Sequence, residues 1–173
     1  SAHQEVELYF RTAKQDFTSE PEVIFKQEKN RTEPNLNFSP KFSIVMANYN
    51  NAGYIVESIQ SVLNQTFREW ELIIVDDGSN DDSVEIINKY LNDKRIRLIQ
   101  HSRNKGYTTA LKTGIAEVSS NIFGILDSDD CLLEQALEVM YASHINHPDC
   151  GLIYSQFIYC YENLGAKNVG YCK

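Results

Sequence analysis

The sequence is poor in the features that stabilise small secreted proteins or anchor a chain in a membrane. Its four cysteines form no Cys-x-x-Cys pair, so the ligand spacing of a structural zinc site is missing. Their positions would allow one disulfide towards the end of the chain, but the pattern favours reduced thiols in a reducing compartment. No apolar run approaches the roughly 20 residues of a membrane-spanning helix, and no basic start followed by an apolar stretch indicates a signal peptide.

Positive charge is also scarce. Sixteen Lys and Arg residues oppose twenty-four Asp and Glu residues, which gives a formal net charge of -8. A protein that binds a phosphate backbone needs a basic face, so this balance argues against a nucleic-acid partner. The acidic excess fits a protein that holds a divalent cation and meets an anionic ligand through it, although charge alone favours the simpler explanation of solubility.

Three motifs of nucleotide-binding and hydrolytic folds are missing. The loop after the first predicted strand has no Gly-x-Gly-x-x-Gly, which argues against a dinucleotide-binding fold. No Gly-rich loop ends in Gly-Lys-Ser or Gly-Lys-Thr, which argues against P-loop nucleoside triphosphatases. No Gly-x-Ser-x-Gly forms the nucleophile turn of an α/β-hydrolase.

Proline is rare after residue 40, and this divides the chain into two parts. Three of the four prolines, Pro21, Pro34 and Pro40, lie in the polar segment of residues 1–40. Within that segment, apolar residues at helical spacing predict a short amphipathic helix near residues 6–17, and a linker follows over residues 26–40. We therefore predict an N-terminal extension outside the sheet and a single domain over residues 41–173.

From residue 41 onwards, compact apolar runs alternate with segments of helical periodicity. The runs predict buried strands, and the segments between them predict helices. The predicted strands are residues 42–47, 71–75, 96–99, 122–126 and 152–154. The predicted helices are residues 54–64, a helix that carries Val84, Ile87 and Leu91, residues 108–117 and residues 132–144. This alternation is typical of an α/β fold with a mainly parallel sheet and helices on both faces.

Polar residues gather in the loops that follow these strands, and such loops form the ligand-binding edge of a parallel sheet. The densest group is Asp127-Ser128-Asp129-Asp130. Its carboxylates suit Mg²⁺ or Mn²⁺, which prefer hard oxygen ligands. An acidic N-cap of the following helix explains Asp129 and Asp130 equally well, so this motif alone does not decide between the two.

The other strand-end loops carry weaker signals. Asp76 and Asp77 precede a glycine in a strand-ending turn, although a carboxylate there could also accept a hydrogen bond from a base or a ribose. Gly106 could adopt a positive φ or allow a close backbone approach. Tyr49 could stack on a base, but a lone aromatic more often packs in the protein, and His101 is expected at the surface.

Taken together, five runs resemble the motifs of family 2 inverting glycosyltransferases, which have the GT-A fold. The runs are FSIVMANYNN at residues 42–51, SVLNQTF at 61–67, ELIIVDDGS at 71–79, NKG at 104–106 and FGILDSDD at 123–130. They occur in the family's order with natural spacing, and the resemblance covers about residues 41–155. A nucleotidyltransferase of related fold is a poorer match, because its Gly-rich phosphate loop near the first strand is missing.

The resemblance implies a nucleotide site made of residues at the strand ends. Ala47 and Tyr49 would line the base, with Tyr49 stacking on it. Asp77 would accept a hydrogen bond from the base, which in this family is usually uracil. Asp127 would lie beside the ribose or the sugar.

The same resemblance implies a metal site and a diphosphate site. Asp129 would meet the Mn²⁺ or Mg²⁺ that bridges the diphosphate, with Asp130 as the alternative, because relatives place this ligand differently. Asn104 belongs to the implied nucleotide site as well. Many relatives carry Arg-Asn where this chain has Leu111-Lys112, so Lys112 is the substitute for the diphosphate contact.

The implied reaction is a metal-dependent single displacement. An acceptor hydroxyl attacks the anomeric carbon of a nucleoside-diphosphate sugar, here a UDP-sugar, and the transferred group is a hexose. The acceptor would be a carbohydrate or a lipid-linked molecule, as in polysaccharide biosynthesis. A carboxylate must take the proton of the acceptor, and in relatives this base lies well downstream of the metal motif, so it is expected beyond Lys173.

A domain with an incomplete acceptor half should behave in recognisable ways. We expect residues 1–173 alone to transfer little or no sugar, and to self-associate through an apolar edge that includes Phe157, Ile158 and Tyr159. The protein is expected in the cytoplasm, and a peripheral place at the membrane stays open for a longer chain. The alternative function is a non-catalytic nucleotide-sugar-binding module of a larger protein.

Overall fold

The computed structural model of the protein describes residues 39–153, together with the backbone of residues 158–160 and 169–171. The chain divides into two units, Ser1–Leu36 and Asn37–Lys173, and every described residue belongs to the second. The predicted N-terminal helix, almost all of the predicted linker and Phe157 of the predicted apolar edge lie outside the described residues. The boundary near residue 40 therefore stays a prediction.

Four parallel strands form the central sheet. They are β1 (Phe42–Asn48), β2 (Trp70–Asp76), β3 (Ile96–Gln100) and β4 (Phe123–Ile125), in the order β3-β2-β1-β4. Phe42 pairs with Trp70, and β1 and β2 stay in register up to Asn48 and Asp76. A separate antiparallel pair consists of β5 (Ile158–Cys160) and β6 (Val169–Tyr171).

The place of each strand in the sheet follows from its composition. All seven residues of β1 and all seven residues of β2 are buried, as expected for apolar runs in the middle of a parallel sheet. At one edge of the described sheet, β4 has only three residues, and its Phe123 and Ile125 are about half exposed. The predicted α/β fold with a mainly parallel sheet is confirmed.

Four helices cover the two faces of the sheet. They are α1 (Ile55–Leu63), α2 (Ser83–Asn88), α3 (Tyr107–Ile115) and α4 (Ala136–Asn146). Successive strand residues point to opposite faces, so β1 sends Ile44 and Met46 into a core with α1, α2 and α4, and Val45 into a smaller core with α3. No described helix is both long enough and apolar enough to cross a membrane.

Helix α3 lies very close to the sheet at Gly114. A Cβ atom at this position would overlap Val45 Cγ1 and would lie 3.1 Å from Val75 Cγ2. Because glycine has no Cβ, α3 can pack directly on β1 and β2. This packing places the first residues of α3 beside the carboxyl-terminal edge of the sheet.

The helix predicted over residues 132–144 begins only at Ala136, so its predicted start is wrong. The preceding loop is held by Gln65, in the turn after α1, instead. Gln65 Nε2 donates to the carbonyl oxygen of Leu133 at 2.7 Å, and Gln65 Oε1 accepts from Leu137 N at 3.0 Å. These hydrogen bonds between distant segments satisfy a carbonyl group of the loop and an N–H in the first turn of α4.

Two further local predictions are wrong. Leu91, predicted on the second helix, lies beyond the end of α2 and is partly exposed, because a turn in which Asp93 N donates to Tyr90 O at 3.1 Å leads the chain into β3. The strand predicted over residues 152–154 does not form in its two described residues, and Leu152 is 80% exposed. No strand of the described sheet pairs with this segment.

Candidate functional site

A cleft opens at the carboxyl-terminal edge of the sheet, where the loops after the four strands meet. Its volume is about 320 Å³, within the range of small-ligand pockets. It is lined by Ala47, Asn48, Tyr49, Asn51, Asp77, Asn104, Gly106, Tyr107, Ala110, Asp127, Ser128 and Asp129. The predicted site residues in this lining are Ala47, Tyr49, Asp77, Asn104, Asp127 and Asp129. The parallel topology therefore brings together predicted residues that are far apart in sequence.

Two predicted site residues lie outside this lining. Lys112 is exposed on α3, and Asp130 is exposed directly after Asp129. The cleft geometry thus gives no support to a contact between Lys112 and a diphosphate. Asp130 is adjacent in sequence to Asp129, which lines the cleft. The diphosphate contact of Lys112 and the metal ligation of Asp130 both stay predictions.

The loop after β1 places Tyr49 at the cleft, with 42% of the residue exposed. The next residue, Asn50, has a φ of 52°, a left-handed conformation that asparagine tolerates. Asn50 N donates to Ser79 Oγ at 2.9 Å, and Asn50 Oδ1 accepts from Asn80 N at 2.8 Å. Contacts between two strand-end loops therefore fix the backbone beside Tyr49, while its ring stays accessible to a ligand.

Asn48 separates the roles of the two neighbouring aspartates. Asn48 Nδ2 donates to Asp76 Oδ1 at 2.8 Å and to Ser79 Oγ at 3.2 Å. Asp76 also accepts from Ser79 N at 3.0 Å and from Ser79 Oγ at 2.5 Å. The carboxylate of Asp76 is thus used in the strand-ending turn, and Asp77 is the carboxylate of this pair that lines the cleft.

The carboxylate of Asp77 is almost fully buried and accepts three donors from the segment after β3. Its Oδ1 accepts from His101 Nδ1 at 2.6 Å and from Lys105 N at 2.9 Å, and its Oδ2 accepts from Gly106 N at 2.7 Å. Burial by itself would raise the pKa of Asp77, but the hydrogen bonds from His101, Lys105 and Gly106 outweigh it and hold the pKa below its ordinary value. Asp77 is therefore ionised at neutral pH and holds this segment in place.

The prediction that His101 lies at the surface is wrong. His101 is 9% exposed, and its Nε2 lies 3.0 Å from Thr113 Oγ1. Since an ionised carboxylate only accepts hydrogen bonds, the Nδ1 that faces Asp77 carries the proton. The sequence signal for this contact is register, because Gln100 pairs with Asp76 across β3 and β2, which sets His101 opposite Asp77.

Gly106 determines how α3 begins. Its φ of 92° confirms the predicted positive φ, a conformation that glycine adopts without strain. Besides its bond to Asp77, Gly106 N donates to Asn104 Oδ1 at 2.9 Å. The Asn104 side chain is thereby oriented at the cleft, and its Nδ2 donates to no group in the described part of the chain.

Three carboxylates follow β4 in a turn in which Asp130 N donates to the carbonyl oxygen of Asp127 at 3.1 Å. The hydroxyl of Tyr107 donates to Asp127 Oδ1 at 2.6 Å. This hydrogen bond, burial and the nearby charges of Asp127, Asp129 and Asp130 raise the pKa of Tyr107 to about 12. Partial burial, followed by the charges of Asp129 and Asp127, raises the pKa of Asp130.

The interpretation of this acidic run as a helix N-cap is wrong. Helix α4 begins only after Gln135, and the side chain of Gln135 forms no capping hydrogen bond. The run is tied to α1 through Ser128 instead. Ser128 Oγ accepts from Asn51 Nδ2 at 2.7 Å, and its carbonyl oxygen accepts from Ser58 Oγ at 2.8 Å. These contacts hold the acidic turn at the cleft.

The acidic turn fits a metal ion only in part. Among the described residues, no three His, Cys, Asp or Glu side chains are grouped so that they could hold a metal ion. However, the described residues offer neither a hydrogen-bond donor nor a basic side chain to the carboxylates of Asp129 and Asp130, and such charges repel each other. Mg²⁺ usually takes one or two protein carboxylates and fills its shell with water and substrate phosphates. The residues present thus suit a divalent cation that arrives with a diphosphate.

Residues 43–169 match the family model described as Glycosyl transferase family 2. The chain belongs to this family. The expected family is thereby confirmed for the segment that contains all the cleft residues.

Curated relatives of this family 2 chain are glycosyltransferases by name. An uncharacterized glycosyltransferase of Haemophilus influenzae is 39% identical over 111 residues, which are 61% of this chain and 44% of the relative. Glycosyltransferase GlyG of Streptococcus pneumoniae is 36% identical over 104 residues, which are 60% of this chain and 35% of the relative. The chain therefore spans less than half the length of these relatives.

Solved structures support the same fold. S. aureus TarS, solved also in complex with UDP and with UDP-GlcNAc, is 29% identical to the family 2 chain with a TM-score of 0.60, over 62% of this chain and 33% of TarS residues 1–349. The mannosyltransferase PcManGT of Pyrobaculum calidifontis, solved with GDP-Man and Mn²⁺, is 21% identical with a TM-score of 0.50, over 57% of this chain and 30% of PcManGT. The likeness to PcManGT shows the fold alone.

Sequence reasoning missed two cleft residues whose side chains contact the acidic turn of residues 127–130. Tyr107 donates to Asp127 across 20 positions of sequence, and Asn51 donates to Ser128 across 77 positions. Both stand beside motif residues, since Asn51 ends the first motif run and Tyr107 follows Gly106. Adjacency of this kind marks a residue as near the cleft, but only the packing of α1 and α3 shows which side chain it meets.

Proposed function

We propose that this family 2 chain binds a UDP-sugar in the cleft and that the sugar passes, with inversion, to a hydroxyl of a carbohydrate or lipid-linked acceptor. The observation that carries the proposal is the convergence of Tyr49, Asp77, Asn104, Asp127 and Asp129 on one cleft. It is supported by the similarity to TarS, which has been solved with UDP and with UDP-GlcNAc. The hexosyltransferase type is part of the same proposal.

The uracil ring of the donor belongs at the end of the cleft that is formed by β1 and β2. Ala47 and Tyr49 supply an apolar and aromatic surface there. A carboxylate has about four lone-pair sites, and Asp77 uses its oxygens for three protein donors. Because Lys105 N also donates to Oδ2 at 3.0 Å, a uracil N–H that binds Asp77 would share an oxygen with one of these donors.

The diphosphate belongs between Asn104 and the acidic turn. Asn104 lines the cleft, and its Nδ2 is a donor without a partner in the described segment. It is better placed for a phosphate oxygen than Lys112, which lies outside the lining. Asp129, with Asp130 beside it, would hold Mn²⁺ or Mg²⁺, and such an ion neutralises charge on a departing diphosphate.

The acceptor side of the reaction requires a general base, and the described lining of the cleft does not offer one. Among the described residues, the carboxylates that line the cleft are Asp77, Asp127 and Asp129, and each is already assigned to the donor. A hydroxyl that attacks an anomeric carbon needs a base within hydrogen-bond reach. This observation favours a second candidate, a module that binds nucleotide-sugar without transferring it.

Titration calorimetry with UDP, GDP and CDP, each in Mn²⁺ and in EDTA, tests donor binding. We expect UDP to bind best, and to lose about tenfold or more in affinity in EDTA, which corresponds to about 1.4 kcal/mol. Better binding of GDP would contradict the uracil assignment, and equal affinity in EDTA would contradict the metal assignment. If none of the three nucleotides binds, the donor site itself is refuted.

A turnover assay tests whether residues 1–173 transfer sugar by themselves. UDP-GlcNAc and a panel of carbohydrate and lipid-linked acceptors are incubated with residues 1–173, and the release of UDP is measured. We expect donor binding with little or no transfer, because a lost general base costs roughly 10²–10⁴-fold in rate. Efficient transfer to a defined acceptor would exclude the non-catalytic module and would place a base within this chain.

A further inference from the structure

The hydroxyl of Tyr107 lies 2.6 Å from Asp127 Oδ1, and both residues line the cleft. We propose that Tyr107 is a positioning residue, which holds Asp127 so that its second carboxylate oxygen receives a hydroxyl of the donor. This inference rests on the proposed function, since it concerns the same donor. The donor hydroxyl belongs either to the ribose or to the transferred sugar.

The state of the Asp127 carboxylate supports this role. Its Oδ1 accepts from Tyr107, and its Oδ2 has no hydrogen-bond partner among residues 39–153. Asp129 and Asp130 follow within three positions, and their like charges disfavour any fixed arrangement of the three carboxylates. A charge-assisted hydrogen bond to one oxygen therefore decides how the other oxygen points.

The position of Tyr107 is itself fixed by the other end of the site. Tyr107 is the first residue of α3, and the N–H of the preceding Gly106 donates to Asp77 Oδ2 at 2.7 Å. Gly106 and Tyr107 thus connect Asp77, which is proposed to bind uracil, to Asp127, which is proposed to bind the ribose or the sugar. The spacing between the two carboxylates is therefore set by the start of one helix.

The hydroxyl of Tyr107 does not need this contact in order to be satisfied. Tyr107 is 53% exposed, so water could replace Asp127 as the hydrogen-bond acceptor. The contact with Asp127 therefore has a use beyond hiding a polar group. Tyr107→Phe removes the hydroxyl and keeps the ring as a wall of the cleft, which separates the two possible roles of the side chain.

Titration of UDP and UDP-GlcNAc in Mn²⁺ into wild type and Tyr107→Phe tests the inference. We expect the variant to bind UDP-GlcNAc about tenfold more weakly, the effect of one hydrogen bond to a charged group. Equal weakening of UDP identifies the ribose as the source of the hydroxyl, and weakening of UDP-GlcNAc alone identifies the sugar. Tyr54→Phe, 60% exposed and outside the cleft lining, is the matched control and should bind as wild type does.

A double-mutant cycle shows whether Tyr107 acts through Asp127. In an Asp127→Ala background, Tyr107→Phe should change affinity by less than about twofold, because the group that it positions is gone. Asp127→Asn is the second background, used if Asp127→Ala fails to fold or to bind. There the loss of the hydroxyl should cost less than in wild type, because the remaining acceptor is neutral.

Wild-type affinity of Tyr107→Phe for both ligands would overturn the inference. A tenfold loss that persists in the Asp127→Ala background would overturn it as well, because Tyr107 would then act on the donor independently of Asp127. Failure of the proposed function looks different, since wild type itself would then bind neither UDP nor UDP-GlcNAc.

Discussion

His101 and Asp77 form a buried pair, in which the Nδ1 of the imidazole lies 2.6 Å from Oδ1 of the carboxylate. The far side of the ring contacts Thr113 Oγ1, whose hydroxyl also donates to the carbonyl oxygen of Thr109 at 3.0 Å. The pair therefore connects the end of β2 to the middle of α3. Asp77, to which the resemblance assigns a hydrogen bond from the nucleobase, thus also supports the local fold.

Replacement of His101 should destabilise the domain. His101→Ala leaves Asp77 with two donors in a buried place, and the lost hydrogen bond to a charged group corresponds to about 1–3 kcal/mol in the free energy of unfolding. Denaturant unfolding measures this difference. An unchanged free energy of unfolding would mean that water replaces the imidazole and that the pair has no structural role.

The contribution of Asp77 to stability should depend on pH. Its pKa is lower in the folded protein than its ordinary value, because hydrogen bonds outweigh the effect of burial. Its stabilising effect is therefore complete above its unfolded-state pKa of about 4, and it is lost as the pH falls through the lower folded-state pKa. Asp77→Asn should thus lower the thermal midpoint at pH 7, and the difference from wild type should shrink towards pH 3.

Asp149→Asn is the control for this experiment, since Asp149 is exposed and forms no hydrogen bond or ion pair with the described residues. Its midpoint should follow that of wild type at every pH. A gap between Asp77→Asn and wild type that stays constant from pH 7 to pH 3 would show that ionisation of Asp77 does not stabilise the fold.

Gly114 should be intolerant of a side chain. Gly114→Ala places a methyl group against Val45 Cγ1 and Val75 Cγ2, and overpacking of this kind costs about 1–3 kcal/mol. Gly53→Ala is the matched control, because a Cβ there meets nothing within 4 Å. If urea unfolding shows equal stability for the two variants, α3 can move away from the sheet at no cost.

Asp129 should carry the effect of the metal ion on nucleotide binding. In wild type, Mn²⁺ should strengthen UDP binding, and in Asp129→Ala the affinity in Mn²⁺ should equal that in EDTA. The fold should persist, since Asp129 is exposed at a strand-end loop and no described residue bonds to its carboxylate. Asp149→Ala controls for the loss of one negative charge, and a Mn²⁺ effect that survives in Asp129→Ala would move the metal ligand elsewhere.

The central strands were predictable because runs of consecutive apolar residues indicate buried strands. β1 and β2 are apolar runs of the length that a buried parallel strand requires, and each matches its prediction to within one residue. The start of α4 was not predictable in this way. It depends on Gln65, which binds Leu133 and Leu137, 68 and 72 positions away.

In the candidate site too, some features could be predicted from the sequence and others depend on tertiary packing. Residues such as Asp77 and Asp127 could be predicted to share one edge, because parallel strands all end on the same side of a sheet. The register of β3 on β2 sets His101 opposite Asp77, whereas Tyr107 reaches Asp127 only through the packing of α3 on β1 and β2. Gly114 permits that packing, and this role could not be predicted without the position of the helix on the sheet.

A crystal structure of the protein with UDP and Mn²⁺ would show directly where the donor nucleotide binds. We expect uracil against Tyr49, within hydrogen-bond distance of Asp77, the diphosphate beside Asn104, and Mn²⁺ bound by Asp129. UDP bound outside this cleft would contradict the proposed function. So would UDP bound in the reverse direction, with the base at Asp127 and the diphosphate at Asp77.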